Sequence, residues 1–359
     1  MNWEQPQMIE RSAAQVGALD EQAMAAARAR QASLTKPPGS LGRLEELAIW
    51  LAGVTGRPIP PPLSRRAVLV LAADHGVATR GVSAYPREVT AQMVYNFAAG
   101  GAAINALAGS VGARVVVADL GVAADLSAGL GLRHHSVAPG TADMASGPAM
   151  TPAQARRSVE AGLALLEAEV ARGLDVVCTG EMGIGNTTAA AAITATITGS
   201  AVEAVTGRGT GVDDARLQHK IDTIKRALER NRPDPTDALA VLAAVGGFEI
   251  GGLAGVILGA AARRIPVVLD GYIAGAAALL AVILCPTARA YLLAAHRSVE
   301  PGHARLLDHL RLTPLLDLHL RLGEGTGAVL ALPLLDAALA AHAGMATFES
   351  AGIAGKTAD

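Results

Sequence analysis

The sequence predicts an α/β protein: a doubly wound parallel sheet, with a smaller helical part supplied by the two chain ends. Three observations predict it. Short β-rich apolar runs alternate with helical patterns through the middle of the chain, each run ends in a polar or glycine-rich segment, and both chain ends read as helices. A strand followed by a helix and a further strand favours parallel pairing, with helices laid over both faces of the sheet.

The N-terminal region reads as helical as far as Gly56, and Pro58, Pro60, Pro61 and Pro62 then mark a linker, so residues 1–62 belong to the small helical part. Beyond it the β runs fall at residues 67–72, 114–118, 174–178, 266–269 and 290–294, which makes residues 63–299 the large α/β domain. Thr151 has the hydroxyl of an N-cap and Pro152 the fixed φ of a first helical position, together opening a helix over residues 151–172. Gly251, Gly252, Gly255, Gly259 and Gly275 lie in apolar helical stretches, where small residues let buried helices pack closely. Residues 300–359 are mostly helical and complete the small part.

Composition narrows the function. With 30 Lys and Arg against 32 Asp and Glu, the chain has no basic stripe to displace counterions from a phosphate backbone, which argues against nucleic-acid binding. The apolar stretches 250–262 and 274–285 are the longest, and both fall short of the roughly 20 residues that span a bilayer, so no membrane insertion is expected. The start, MNWEQPQMIERSA, lacks the basic and apolar regions of a signal peptide. Cys178 and Cys285 sit in apolar runs without ligand spacing and read as reduced core residues of a cytoplasmic protein. The pairs His134 with His135 and His296 with His303 have no carboxylate or cysteine at ligand spacing, so no metal is expected.

In a doubly wound sheet, ligands bind beyond the carboxyl ends of the strands. Those ends read Ala73-Asp74-His75-Gly76, Asp119-Leu120-Gly121, Gly180-Glu181-Met182-Gly183, Asp270-Gly271 and His296-Arg297-Ser298, so acids, a hydroxyl and glycines converge on one edge. GEMGIGNTT follows the third run and opens an Ala-rich helix. There the amides of Gly183 and Gly185, with Asn186 and Thr187, can cradle an anion, although a tight strand-to-helix turn needs glycines too. Asn186 replaces the lysine of a P-loop, which suits a single phosphate better than a triphosphate. GRGTGVDD, which contains Gly209, precedes a helix carrying Lys220, either a point charge for the phosphate or a solvated helix residue. Ser298 is a further donor or a turn residue. Tyr85, with Ser83 and Gln92, can wall a flat aromatic ligand, while Glu88 is also explained by a helix start. His75 beside Asp74 is a catalytic pair or an ordinary strand-end histidine. RLGEGTGA sets Glu324 between two glycines ahead of an apolar helix, which gives a carboxylate the backbone room to approach a planar substrate.

Eight ordered motifs carry a resemblance: KPPGSLGRLEELA (36–48), ADHGV (73–77), GVSAYPREVTAQMVYNF (81–97), GEMGIGNTT (180–188), GRGTGVDD (207–214), PVVLDGYIAGAAAL (266–279), HRSVEPGH (296–303) and RLGEGTGAVLALPLLDAA (321–338). Over residues 36–351 the chain closely resembles nicotinate-nucleotide:dimethylbenzimidazole phosphoribosyltransferase, with mild departures such as Val212. The resemblance implies transfer of the phosphoribosyl group of nicotinate mononucleotide to 5,6-dimethylbenzimidazole, giving α-ribazole 5′-phosphate, the lower-ligand nucleotide of cobalamin, and nicotinate. It implies Glu324 as catalytic base and Glu181 as a second acid. Ser83, Tyr85, Glu88, Gln92, Met182 and Leu322 fall at the benzimidazole pocket, and Gly183, Gly185, Asn186, Thr187, Gly209, Lys220 and Ser298 at the nucleotide contacts. It further implies a Rossmann-like large domain, a small domain made from both chain ends, a homodimer, and no cofactor. Two alternatives remain from the residues: a nucleotide-dependent oxidoreductase, which should show GxGxxG after the first strand, and a non-catalytic nucleotide sensor, which has no need of Glu324.

Overall fold

Strand β1 (Arg66–Ala73) is apolar from Ala67 to Ala73 and buried on both faces, as befits the centre of a sheet. The computed structural model describes residues 7–126 and 131–354. Strands β2 (Arg114–Gly121), β3 (Arg133–His134), β4 (Val176–Met182), β5 (Val267–Leu269) and β6 (Leu292–Ala294) join β1 in one parallel sheet of order β3-β2-β1-β4-β5-β6. The order turns back between β1 and β4, so the chain leaves these neighbours in opposite directions and opens a crevice at their carboxyl ends. Five of the strands overlap the apolar runs of the sequence; β3, two residues long, is too short to leave a pattern. The third run is displaced: its strand covers Val176–Met182, which carries Glu181 and Met182 within the strand itself.

Alternate side chains of β1 serve two cores. Ala67, Leu69, Leu71 and Ala73 meet the core that holds helices Pro152–Ala171 and Phe248–Ala262; Val68, Val70 and Ala72 meet the core of helices Arg43–Thr55, Ala103–Ser110 and Thr326–Gly344. Thr151 caps the first of these helices as its sequence predicts, accepting from the Gln154 N–H at 3.2 Å while the Gln154 side chain accepts from the Thr151 N–H at 2.9 Å. A Cβ on Gly162 would overlap the Gly252 carbonyl oxygen, and one on Gly255 would overlap that of Val159. The helices Pro152–Ala171 and Phe248–Ala262 therefore touch backbone to backbone.

Helix Thr326–Gly344, of 19 residues, is long and apolar enough to cross a membrane. In the sequence the run is less conspicuous, because Pro333, Asp336 and His342 interrupt it. In the fold Val329, Leu332, Leu335 and Leu339 are buried in the second core, and Asp336 pairs with Arg66 of β1 at 2.6 Å. The chain ends meet: Arg30 donates to the carbonyls of His342 and Ala343 at 2.7 and 2.9 Å, and Leu34 bridges to Thr347.

Candidate active site

The chain enters helix Thr326–Gly344 through Gly323, Glu324 and Gly325, whose φ angles are +90°, +64° and +93°. Glycine tolerates this left-handed backbone, whereas Glu324 adopts it only because its surroundings hold it there. Those surroundings are specific. A Cβ on Gly180 of β4 would lie 2.5 Å from the Glu324 carbonyl oxygen, so the loop lies directly on the strand. Asp270, at the end of β5, accepts from the N–H groups of Gly325 at 3.1 Å, Gly327 at 2.7 Å and Ala328 at 3.1 Å. The Glu324 carboxylate is buried and accepts from the Ile104 N–H at 3.2 Å, at the start of helix Ala103–Ser110. Burial raises its pKa above the ordinary value, the Ile104 bond opposes the rise, and the Asp270 charge adds to it. Glu324 is thus a stronger base than a solvated glutamate.

Glu181 is buried beside this loop. The Asn186 side-chain amide donates to one of its oxygens, and the other packs against Gly323 so closely that a Cβ there would overlap it. Burial first, then the charges of Asp270 and Glu249, push its pKa up to about 8. A value near 8 favours the protonated form of Glu181 at neutral pH.

The other end of the site has a geometry that can take an anion. Gly185 is the N-cap of helix Asn186–Thr198, so the turn from Gly183 to Thr187 presents the positive end of that helix. Behind it lies Lys220 on helix Asp214–Asn231, fully enclosed rather than solvated, donating to Thr187 Oγ1 at 2.8 Å and to the Gly207 carbonyl at 3.2 Å. Burial pushes its pKa down to about 8, against the pull of Glu300. Glu300 Oε1 accepts from the Gly209 N–H at 2.9 Å, holding the second glycine segment to the start of helix Pro301–Leu310. Ser298 Oγ accepts from the Glu300 N–H at 3.3 Å, so the serine shapes a turn as well as lining the site.

One cavity of about 690 Å³ joins these parts. Glu181, Met182, Gly183, Asn186, Thr187, Gly209, Ser298, Leu322, Glu324 and Tyr85 line it, so ten of the fifteen residues named from sequence share one space. The remaining five stand outside the lining. Gly185 and Lys220 lie behind the anion turn, and Ser83 bonds at 3.2 Å to Thr210, which does line the cavity. Glu88 and Gln92 are exposed; the same helix turns Val89 and Met93 inward, one residue further along each time, a rotation of its face that sequence alone did not fix. Sequence reasoning gave no site role to Asp270, although it lies in a strand-end segment, nor to Glu300, which lies two residues beyond one. Tyr85 and Leu322 are 55% and 59% exposed at the rim, leaving apolar faces open to a flat ligand.

His75 does not pair with Asp74. Its Nε2 lies 2.6 Å from Glu249 Oε1, whereas Asp74 lies 3.3 Å from Arg87 and accepts from the Ala123 N–H at 2.8 Å. Successive residues leaving a strand point apart, so adjacency in sequence separates them here. A second hollow, of about 750 Å³ beside residues 140–154 and 231–248, has a mostly apolar lining and neither of the paired buried carboxylates. Among the described residues no three His, Cys, Asp or Glu side chains are grouped to hold a metal.

A Rossmann-ordered sheet with a helix N-terminal turn and two buried carboxylates at its switch point has the form of an α/β enzyme site. The chain belongs to a phosphoribosyltransferase family, whose model matches residues 16–353. It is 58% identical over 349 residues to the nicotinate-nucleotide–dimethylbenzimidazole phosphoribosyltransferase of Roseiflexus sp. (strain RS-1), covering 97% of this chain and 99% of the relative. The protein of the same name from Dehalococcoides mccartyi is 49% identical, over 98% and 99% of the two chains. Among solved structures, CobT from Thermus thermophilus superposes with a TM-score of 0.90 at 50% identity, covering 93% of this chain and 99% of that one.

Proposed function

We propose that the protein transfers the phosphoribosyl group of nicotinate mononucleotide to 5,6-dimethylbenzimidazole, releasing nicotinate and forming α-ribazole 5′-phosphate for the lower ligand of cobalamin, with Glu324 as general base. One observation carries the reading: a buried carboxylate of raised proton affinity shares a cavity with a helix-N-terminal anion turn and an apolar rim. The named relatives support the substrates.

The chemistry follows from these parts. The turn from Gly183 to Thr187, with Lys220 behind Thr187, takes the donor's phosphate. Tyr85, Met182 and Leu322, together with Val89 and Met93, take the flat acceptor. One benzimidazole nitrogen attacks C1′ as the C1′–pyridinium bond breaks, and the bonding pair goes to the pyridine nitrogen, so the leaving group needs no proton. The acceptor's other N–H becomes acidic as its ring gains positive charge, and Glu324 takes that proton. Glu181, neutral at rest, lies beside the same space and meets the donor's cationic half. Positioning and charge do most of the work.

Glu324→Gln should keep donor affinity within about twofold and lower kcat by about 10²–10⁴-fold. Nicotinate release measured with both substrates checks it; near-normal turnover removes Glu324 from the role. Donor binding without any nicotinate release by the unmodified protein favours a sensor instead. We also assign the protein to the cytoplasm, on its two buried, unpaired cysteines; recovery from the membrane or secreted fraction of cells overturns that assignment.

A further inference from the structure

Asp270 does not line the cavity, yet it is bonded to the segment that follows Glu324 there. It is 2% exposed and stands at the carboxyl end of β5, its own N–H donating to Thr179 Oγ1 of β4 at 3.1 Å. Its oxygens take three amides from the entry of helix Thr326–Gly344, those of Gly325, Gly327 and Ala328. These amides are buried and have no intrahelical partner, so without the carboxylate they would be left unpaired. His296 Nε2 stands 3.6 Å from Asp270 Oδ1, beyond a good hydrogen bond, so the helix entry is its main partner.

The residue just before the clamped amides is Glu324, in left-handed backbone that it does not favour by itself. We propose that Asp270 is a positioning residue for the transfer reaction, clamping the helix entry so that the Glu324 carboxylate stands where the acceptor's N–H proton is taken. The inference rests on the reading of Glu324 as base. Asp270 also acts through its charge, which adds to the proton affinity of both Glu324 and Glu181. Geometry and field thus come from one side chain, and they can be separated.

Asp270→Asn loses an acceptor and the charge; Asp270→Glu keeps the charge but moves the clamp by one methylene. Both should lower kcat by about 10–100-fold, as expected for a base displaced by an ångström or less. Donor affinity, measured by calorimetry with nicotinate mononucleotide, should stay within about threefold. The base works only when ionised, so turnover falls at acid pH. Removing the neighbouring charge eases ionisation, so this acid limb moves to lower pH in Asp270→Asn and stays in place in Asp270→Glu. In a Glu324→Gln background, Asp270→Asn should cause little further loss, because its effect runs through the missing base. Wild-type kcat in Asp270→Asn, or full additivity with Glu324→Gln, overturns the proposal. Near-normal turnover of Glu324→Gln alone overturns the underlying reading instead. If neither Asp270 variant folds, Thr179→Val removes the hydroxyl that steadies Asp270; a several-fold lower kcat with unchanged donor affinity supports the clamp, and unchanged kcat overturns it.

Discussion

Two buried glutamates line one cavity in different surroundings. Glu324 has a backbone amide at its carboxylate, whereas Glu181 has a single side-chain amide and faces the charges of Asp270, Glu249 and Glu324. The proton on Glu181 has a consequence for stability. Its pKa is about 8 in the folded chain against an ordinary 4.5, so between these values the folded state holds a proton that the unfolded state has released. The contribution of Glu181 to stability is therefore greatest below pH 4.5 and declines as pH rises toward 8. Glu181→Gln removes the decline. Its Tm relative to wild type should rise by about 2–5 °C between pH 5 and pH 8, read by thermal melts; a constant difference means Glu181 ionises normally in the fold.

At the scale of elements, close approach is obtained by leaving out side chains. The contact between helices Pro152–Ala171 and Phe248–Ala262 depends on Gly162 meeting the Gly252 carbonyl, with no room for a methyl group. Gly162→Ala forces the helices apart and should cost about 1–3 kcal/mol, as overpacking a core does. Its Tm should fall by several degrees with kcat per folded molecule unchanged, because Gly162 does not line the cavity. Loss of activity without loss of stability contradicts this. The glycine-rich pattern of residues 250–262 made such packing legible, but not which helix it meets, since the partner is some 90 residues earlier. The helix entry at Glu324 was legible in the same partial way: RLGEG announced a turn, while the clamp from Asp270 comes from another strand.

At the scale of the whole molecule, exposed apolar side chains stand on the segments that line the cavity. Val299, Leu318 and Leu322 are each about half exposed, on segments joined by the Val299 N–H donating to the Leu320 carbonyl at 3.2 Å. Together with the family resemblance, this surface supports a homodimer as a proposal. Light scattering should give twice the chain mass of 36.3 kDa at micromolar concentration; a single-chain mass excludes the dimer.

The sequence by itself determined the class of fold, the carboxyl-edge position of the candidate site, and ten of the residues that line its cavity. Alternation and strand-end composition are local properties, readable wherever neighbours in the chain share an environment. Only the tertiary structure decided that His75 turns to Glu249 rather than Asp74, that Val89 and Met93 face inward instead of Glu88 and Gln92, and that Lys220 is enclosed. It alone brought Asp270 to the helix entry of Glu324. Each of these depends on which way a side chain points and on what arrives from a distant segment, and neither is encoded in the spacing of residues along one stretch of chain.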